Sequence, residues 1–185
     1  MDEIVSWDMK IVLDKCGLRR FKPGDEAELV AQANNPRVAK HLRERFPQPY
    51  TWKDAEEWIA RVAAESPAQS FAITVEDCLA GGIGLVQGSD SQRASVEVGY
   101  WLGEAYWGRG IATSALIGAT TYAFKSLKEA NRVFAYVDDA HAASIRVLEK
   151  AGFRREGRLI GSTIKQGEIR DQLLYAVTRR EWKKR

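Results

Sequence analysis

The stretch Glu97-Val98-Gly99-Tyr100-Trp101-Leu102-Gly103-Glu104-Ala105-Tyr106-Trp107-Gly108-Arg109-Gly110-Ile111-Ala112-Thr113 constrains the fold more than any other part of the chain. Ala94 to Leu102 is rich in β-branched and aromatic residues, which suit a pleated, half-buried surface, and it reads as a strand. Gly103 and Glu104 break that strand. Gly108-Arg109-Gly110 then opens a helical pattern, with Ile111, Ala115, Ala119 and Tyr122 on one stripe and Ala112, Leu116 and Ala123 beside it. Two glycines at a helix start let backbone N–H groups point outward together without Cβ obstruction. The helix dipole adds positive potential, so the turn suits an anion.

A dinucleotide fingerprint would place Gly where Thr113 stands and an acid about twenty residues on, where Val133 stands. A phosphate-binding loop of the Gly-Lys-Ser/Thr type is absent from the chain. Neither pattern fits. The run instead resembles motif A of the GCN5-related N-acetyltransferases, Gln/Arg-x-x-Gly-x-Gly/Ala, matched here by Trp107-Gly108-Arg109-Gly110-Ile111-Ala112. The resemblance implies that this loop holds the pyrophosphate of acetyl-CoA. It makes Tyr100, Trp101, Leu102, Trp107, Gly108, Arg109, Gly110, Ile111, Ala112 and Thr113 the expected cofactor-binding residues. Trp107 departs from the usual Gln or Arg. The flanking Glu-Val-Gly-Tyr-Trp-Leu and Tyr-Trp-Gly-Arg-Gly-Ile-Ala-Thr runs are most similar to the branch of ribosomal-protein N-terminal acetyltransferases.

A second motif follows one helix and one strand later. His141-Ala142-Ala143-Ser144-Ile145, continuing through Lys150-Ala151-Gly152-Phe153, resembles the family's motif B, Asn-x-x-Ser/Ala-Ile-x-x-x-x-x-Lys-x-Gly-Phe. The resemblance implies that His141, Ser144 and Lys150 also contact the cofactor, His141 standing where Asn usually meets the pantetheine arm. Many relatives carry a Tyr general acid where this chain has Leu148. Positions 144 and 148 share a helical face, so the hydroxyl near the thiol is expected from Ser144. The similarity extends from about Leu18 to Trp182 and includes Gly167-Glu168-Ile169-Arg170-Asp171.

The expected reaction is direct transfer of acetyl from acetyl-CoA to a primary amine. A protonated amine must first lose its proton and be held close to the thioester. Glu97, acting through water, is the candidate base. A backbone N–H near Tyr100 to Leu102 would meet the oxyanion, and Ser144 the departing thiolate. A strand carboxylate that merely faces solvent would look the same at position 97, and a hydroxyl satisfying a helix carbonyl the same at 144. The leading acceptor is a protein N-terminal α-amine, such as that of a ribosomal protein. A polyamine, aminoglycoside or amino acid is the alternative, and a CoA-binding module without catalysis is a further one. Asp138, His141 and Ser144 lack the nucleophile elbow of a hydrolase triad.

The length suits one domain spanning residues 1–185. The net charge of +3 is too weak to argue for nucleic acid. No apolar run approaches the roughly 18 residues of a membrane helix. Asp2 and Glu3 do not begin a signal pattern, and Cys16 and Cys78 make no disulfide framework, so a cytoplasmic protein is expected. Two distant histidines support no metal. A homodimer is compatible with the sequence.

The remaining chain alternates strand and helix signals. Strands are expected near Met9–Leu13, Leu18–Phe21, Ser70–Val75, Leu79–Val86, Arg132–Val137, Arg158–Ile164 and Ile169–Val177. Helices are expected after Asp25 as cap, around Val38–Leu42, after the Thr51/Asp54 capping box, from Gly110 to about Leu127 and from Ala140 to Ala151. In the family the N-terminal helical part lines the acceptor pocket. Trp52 and Trp58, together with Tyr122, Phe124, Val147 and Phe153, are expected in the core. The basic run from Arg179 to Arg185 is expected to be a solvated tail. The fold class is α/β: a mixed, mainly antiparallel central sheet flanked by helices on both faces.

Overall fold

The computed structural model describes residues 9–184; the expected N-terminal features at Asp2 and Glu3 and the final Arg185 lie outside them. Among the described residues, eight strands, paired mostly antiparallel, and six helices give the expected mixed α/β class. The chain divides into two compact units, one taking residues up to Gly84 with Tyr100–Gly118, the other Leu85–Gly99 with Ala119 onward.

The first unit begins with β1 (Lys10–Val12) and β2 (Gly17–Arg19), which pair antiparallel. After α1 (Glu26–Ala33), α2 (Pro36–Ala39) and α3 (Trp52–Ala63), the chain returns as β3 (Ser70–Val75) beside β2, then β4 (Cys78–Gln87) beside β3. Glu76 and Asp77, both at positive φ, make the two-residue turn between them. Ala72 packs with Leu29 and Ala33 of α1 and Ala55, Ile59 and Val62 of α3. Its neighbours Phe71 and Ile73 point the other way and are equally buried, so both faces of β3 are covered. Gly81 is needed for close approach: a Cβ there would lie 2.2 Å from the Trp101 carbonyl oxygen.

Two local expectations change here. Asp25 stands at the N-cap of α1, yet its side chain makes no capping bond. Its carboxylate instead accepts both guanidinium nitrogens of Arg19, at 2.7 and 2.8 Å, and the Lys22 N–H at 3.0 Å. A charged partner outcompetes helix N–H groups for those oxygens. The Thr51/Asp54 capping box forms as expected. Trp58 packs edge-on to Phe21, but Trp52 is exposed, its indole N–H donating to Glu56 one turn on.

In the second unit the Ser95–Glu97 part of β5 (Ser95–Leu102) pairs parallel with β6 (Arg132–Asp138), and α4 (Ile111–Ser126) lies between the two strands in sequence. After α5 (Ala142–Lys150), β7 (Arg154–Lys165) and β8 (Glu168–Thr178) form a long hairpin, with β8 between β6 and β7. Its turn is Gln166-Gly167, both at positive φ. Phe124 and Phe153 are buried, whereas Tyr122 and Val147 are only half-buried. The start of the basic run is no free tail: Arg179–Trp182 forms α6, and the Arg179 guanidinium donates to the carbonyls of Phe124, Leu127 and Ala130. Carbonyls at and just after a helix C-terminus lack intrahelical donors, and Arg179 supplies them.

Candidate functional site

In the first unit, β5 ends at Leu102 and the chain enters a single 3-10 turn, Glu104–Tyr106, before the glycine loop. Trp107 braces that bend. Its indole N–H donates to the Leu102 carbonyl at 2.9 Å, a bond a Gln or Arg head would make less rigidly. Helix α2 holds the same bend from outside. The Arg37 guanidinium pairs with Glu104 and lies 5.7 Å over the Trp107 ring, and Asn35 donates to Glu104 at 2.9 Å. The pairing of Arg37 and Asn35 with Glu104 carries no signal in the sequence, because the partners lie far apart along the chain.

Beyond Trp107 the backbone turns left-handed twice, at Gly108 (φ +73°) and Gly110 (φ +77°). Only glycine adopts that conformation without strain. Gly108, Arg109 and Gly110 are all exposed, while Ile111 is buried and anchors the first turn of α4. The first i to i−4 bond of the helix runs from Ser114 N–H to Gly110 C=O at 3.1 Å. The N–H groups of Ile111, Ala112 and Thr113 precede it, as in any helix start. An exposed left-handed Gly-Arg-Gly loop at the positive end of a helix fits an anionic group of diphosphate type.

Trp101 and Leu102 serve packing with their side chains. Trp101 lies edge-on to Phe46 and against the α1–α3 cluster, and Leu102 is buried. Tyr100 is half-buried. That cluster includes Tyr50, whose phenol burial pushes up to about 12 and so keeps neutral.

In the second unit, Glu97 is half-buried on β5 between the buried Val96 and Val98, in register with Phe134. His141 occupies the N-cap of α5 with no side-chain capping bond, and Ser144 is half-buried one turn before the fully buried Leu148. Lys150 is exposed in the last turn. The helix closes as the sequence implies, with Phe153 N–H donating to Leu148 C=O and Gly152 N–H to Glu149 C=O, Gly152 at φ +83°. Tyr175 donates to Glu149 at 3.0 Å and pins the same helix. Burial and the Glu149 carboxylate both push the Tyr175 phenol up, so it stays a donor. Asp138 accepts the Ala140 N–H at one carboxylate oxygen, at 2.9 Å, and the Arg170 guanidinium at the other, at 3.3 Å.

The Acetyltransferase (GNAT) domain model matches residues 15–154. The chain belongs to the GNAT acetyltransferase family. YdaF of Bacillus subtilis, whose name assigns it provisionally as a ribosomal N-acetyltransferase, is 30% identical over 89% of this chain and 92% of its own. Among solved structures, Mycobacterium smegmatis RimJ in complex with CoA-disulfide superposes with a TM-score of 0.79 at 24% identity, over 95% of this chain and 90% of that one. RimL, a ribosomal L7/L12 α-N-protein acetyltransferase in complex with coenzyme A, gives 0.79 at 17% identity, over 92% and 98%. This GNAT protein is thus an acetyltransferase. Among its described residues no helix is long and apolar enough to cross a membrane.

Gly110→Asp provides a direct check on the glycine loop of this acetyltransferase. The substitution strains a left-handed position and sets a carboxylate where an anion would lie. CoA binding measured by calorimetry is expected to weaken at least tenfold, about 1.4 kcal/mol. Unchanged affinity in a folded variant would place the phosphates elsewhere.

Proposed function

We propose that this acetyltransferase moves acetyl from acetyl-CoA directly to a primary amine, and that the acceptor is the N-terminal α-amine of a protein, as in ribosomal-protein acetylation. The observation that carries the reading is the exposed Gly108-Arg109-Gly110 loop, left-handed at both glycines and set on the N-terminus of α4. Coenzyme A in the RimJ and RimL structures supports the donor. The names of YdaF and RimL support the acceptor class.

In this reading the amine loses its proton to Glu97 through water, and a backbone N–H of Tyr100 to Leu102 meets the charge that develops on the carbonyl oxygen. The Ser144 hydroxyl hydrogen-bonds the thiolate as it leaves. Leu148, fully buried and without a polar group, leaves that task open to its helical neighbour. His141 takes the place of the Asn that meets the pantetheine arm, and Lys150 remains a cofactor contact of the same helix. The protein then works in the cytoplasm, where ribosomal N-termini and acetyl-CoA are both found.

Release of free CoA thiol tests the reading across a panel of N-terminal peptides, polyamines, aminoglycosides and amino acids. Steady turnover with the peptides is expected; turnover only with small amines would overturn the acceptor, and no turnover with any would overturn the reaction. Ser144→Ala is expected to lower kcat more than it weakens CoA binding, since the hydroxyl matters most as the thiolate forms. A kcat within about twofold of the parent would remove Ser144 from the chemistry.

A further inference from the structure

The turn between β1 and β2 lies along the first two turns of α4 and brings a cation to the glycine loop from outside either motif. Asp14 accepts the Ser114 hydroxyl at 2.5 Å, and the Cys16 thiol, pushed up by burial, lies 3.8 Å from the Ile111 carbonyl. Leu13 fills the space beside Gly118, where a Cβ would come within 2.7 Å of its methyl group. These contacts tie residues 13–16 to the helix at three points, so the side chain between Asp14 and Cys16 has a set position. That side chain is Lys15. It lies across Gly110, with its Nζ 2.9 Å and its Cδ 3.3 Å from where a Cβ on Gly110 would be.

Lys15 is exposed, and among the described residues no carboxylate forms an ion pair with it. Its neighbour Asp14 is turned to Ser114 inside the first turn of α4, where the helix dipole favours a negative charge. Arg109 and Ile111 from the loop side, and Lys15 and Cys16 from the turn, line one open cavity of about 600 Å³.

We infer that Lys15 is a phosphate-binding residue, its ammonium pairing with the diphosphate of acetyl-CoA over Gly110. The inference rests on the reading of residues 107–113 as the cofactor loop. A Cβ on Gly110 would meet this ammonium at 2.9 Å and displace it from the loop. A point charge on a flexible stem suits a diphosphate, which it can follow between oxygens.

Calorimetry of CoA binding tests it with Lys15→Met, which keeps the stem and drops the charge, and Lys15→Arg, which keeps the charge. Lys15→Met is expected to bind CoA about tenfold more weakly, equivalent to about 1.4 kcal/mol. Lys15→Arg should stay near the parent. The same loss is expected with 3′-dephospho-CoA, which retains the diphosphate, and none with pantetheine, which has no phosphate. Equal CoA affinity of Lys15→Met and the parent would overturn the inference while leaving the loop assignment standing. A deficit that vanishes with 3′-dephospho-CoA would overturn the diphosphate as its partner. A parent protein that binds no CoA at all would overturn the loop assignment itself.

Discussion

Glu97→Gln is expected to slow acetyl transfer by roughly 10²-fold near neutral pH, the low end of general base catalysis. The amide keeps the shape of the half-buried side chain on β5, so folding and CoA binding should change little. The deficit should shrink as pH rises, because solution then supplies the neutral amine that Glu97 otherwise prepares. An α-amino group, with a pKa near 8, would bring recovery at about pH 8 to 9, whereas a lysine-like amine would bring it only above about 10. The pH of recovery therefore reports the acceptor class as well as the base. Measuring kcat/KM of variant and parent across that range decides both. Parallel profiles at every pH would return Glu97 to an ordinary strand position.

The largest stability effect is expected at Asp25. Its side chain is 4% exposed and that of Arg19 16%, and the two are joined through both guanidinium nitrogens. Removing the carboxylate leaves a mostly buried guanidinium with the Arg20 carbonyl as its remaining acceptor in this region, and the Lys22 N–H without Asp25. Breaking a buried pair on one side costs about 3–5 kcal/mol, because the remaining charge is stranded. Asp25→Ala should lower the denaturant midpoint accordingly, with the slope unchanged. Replacing both partners by apolar residues, Arg19→Met with Asp25→Leu, should recover much of the loss. A single-variant cost under about 1 kcal/mol would mean that the pair behaves as a solvated surface bridge.

Features that depend on a few adjacent residues are legible in the amino-acid sequence itself. The Thr51/Asp54 capping box, the Gly152 helix end and the turn at Gln166-Gly167 stand where the sequence implies. Strand ends are less so: β7 begins at Arg154 rather than near Arg158, since a hairpin grows as far as its partner strand offers N–H and C=O groups. The glycine loop is legible for the same local reason as the turns. Gly108 and Gly110 declare a left-handed backbone, and the stripe from Ile111 declares a helix behind them.

Side-chain partners are not legible in this way, because the same residue type serves several ends and only its surroundings choose. Asp25 looks like a cap until Arg19 offers a stronger donor. Arg179 looks like part of a solvated tail until carbonyls at the end of α4 and at Ala130 come within reach. Trp52 and Trp58 share one helix and one chemistry, yet only Trp58 meets Phe21. The supports of the glycine loop belong to this class as well: Arg37, Asn35 and Lys15 come from segments remote in sequence from Gly110. The sequence by itself thus determined the turns and most of the succession of strands and helices, because periodicity and turn residues act over a few positions, while its two motifs carried the resemblance to the family. Only the tertiary structure decided which charges and rings meet that loop, because long-range pairing depends on where the folded chain brings distant segments together.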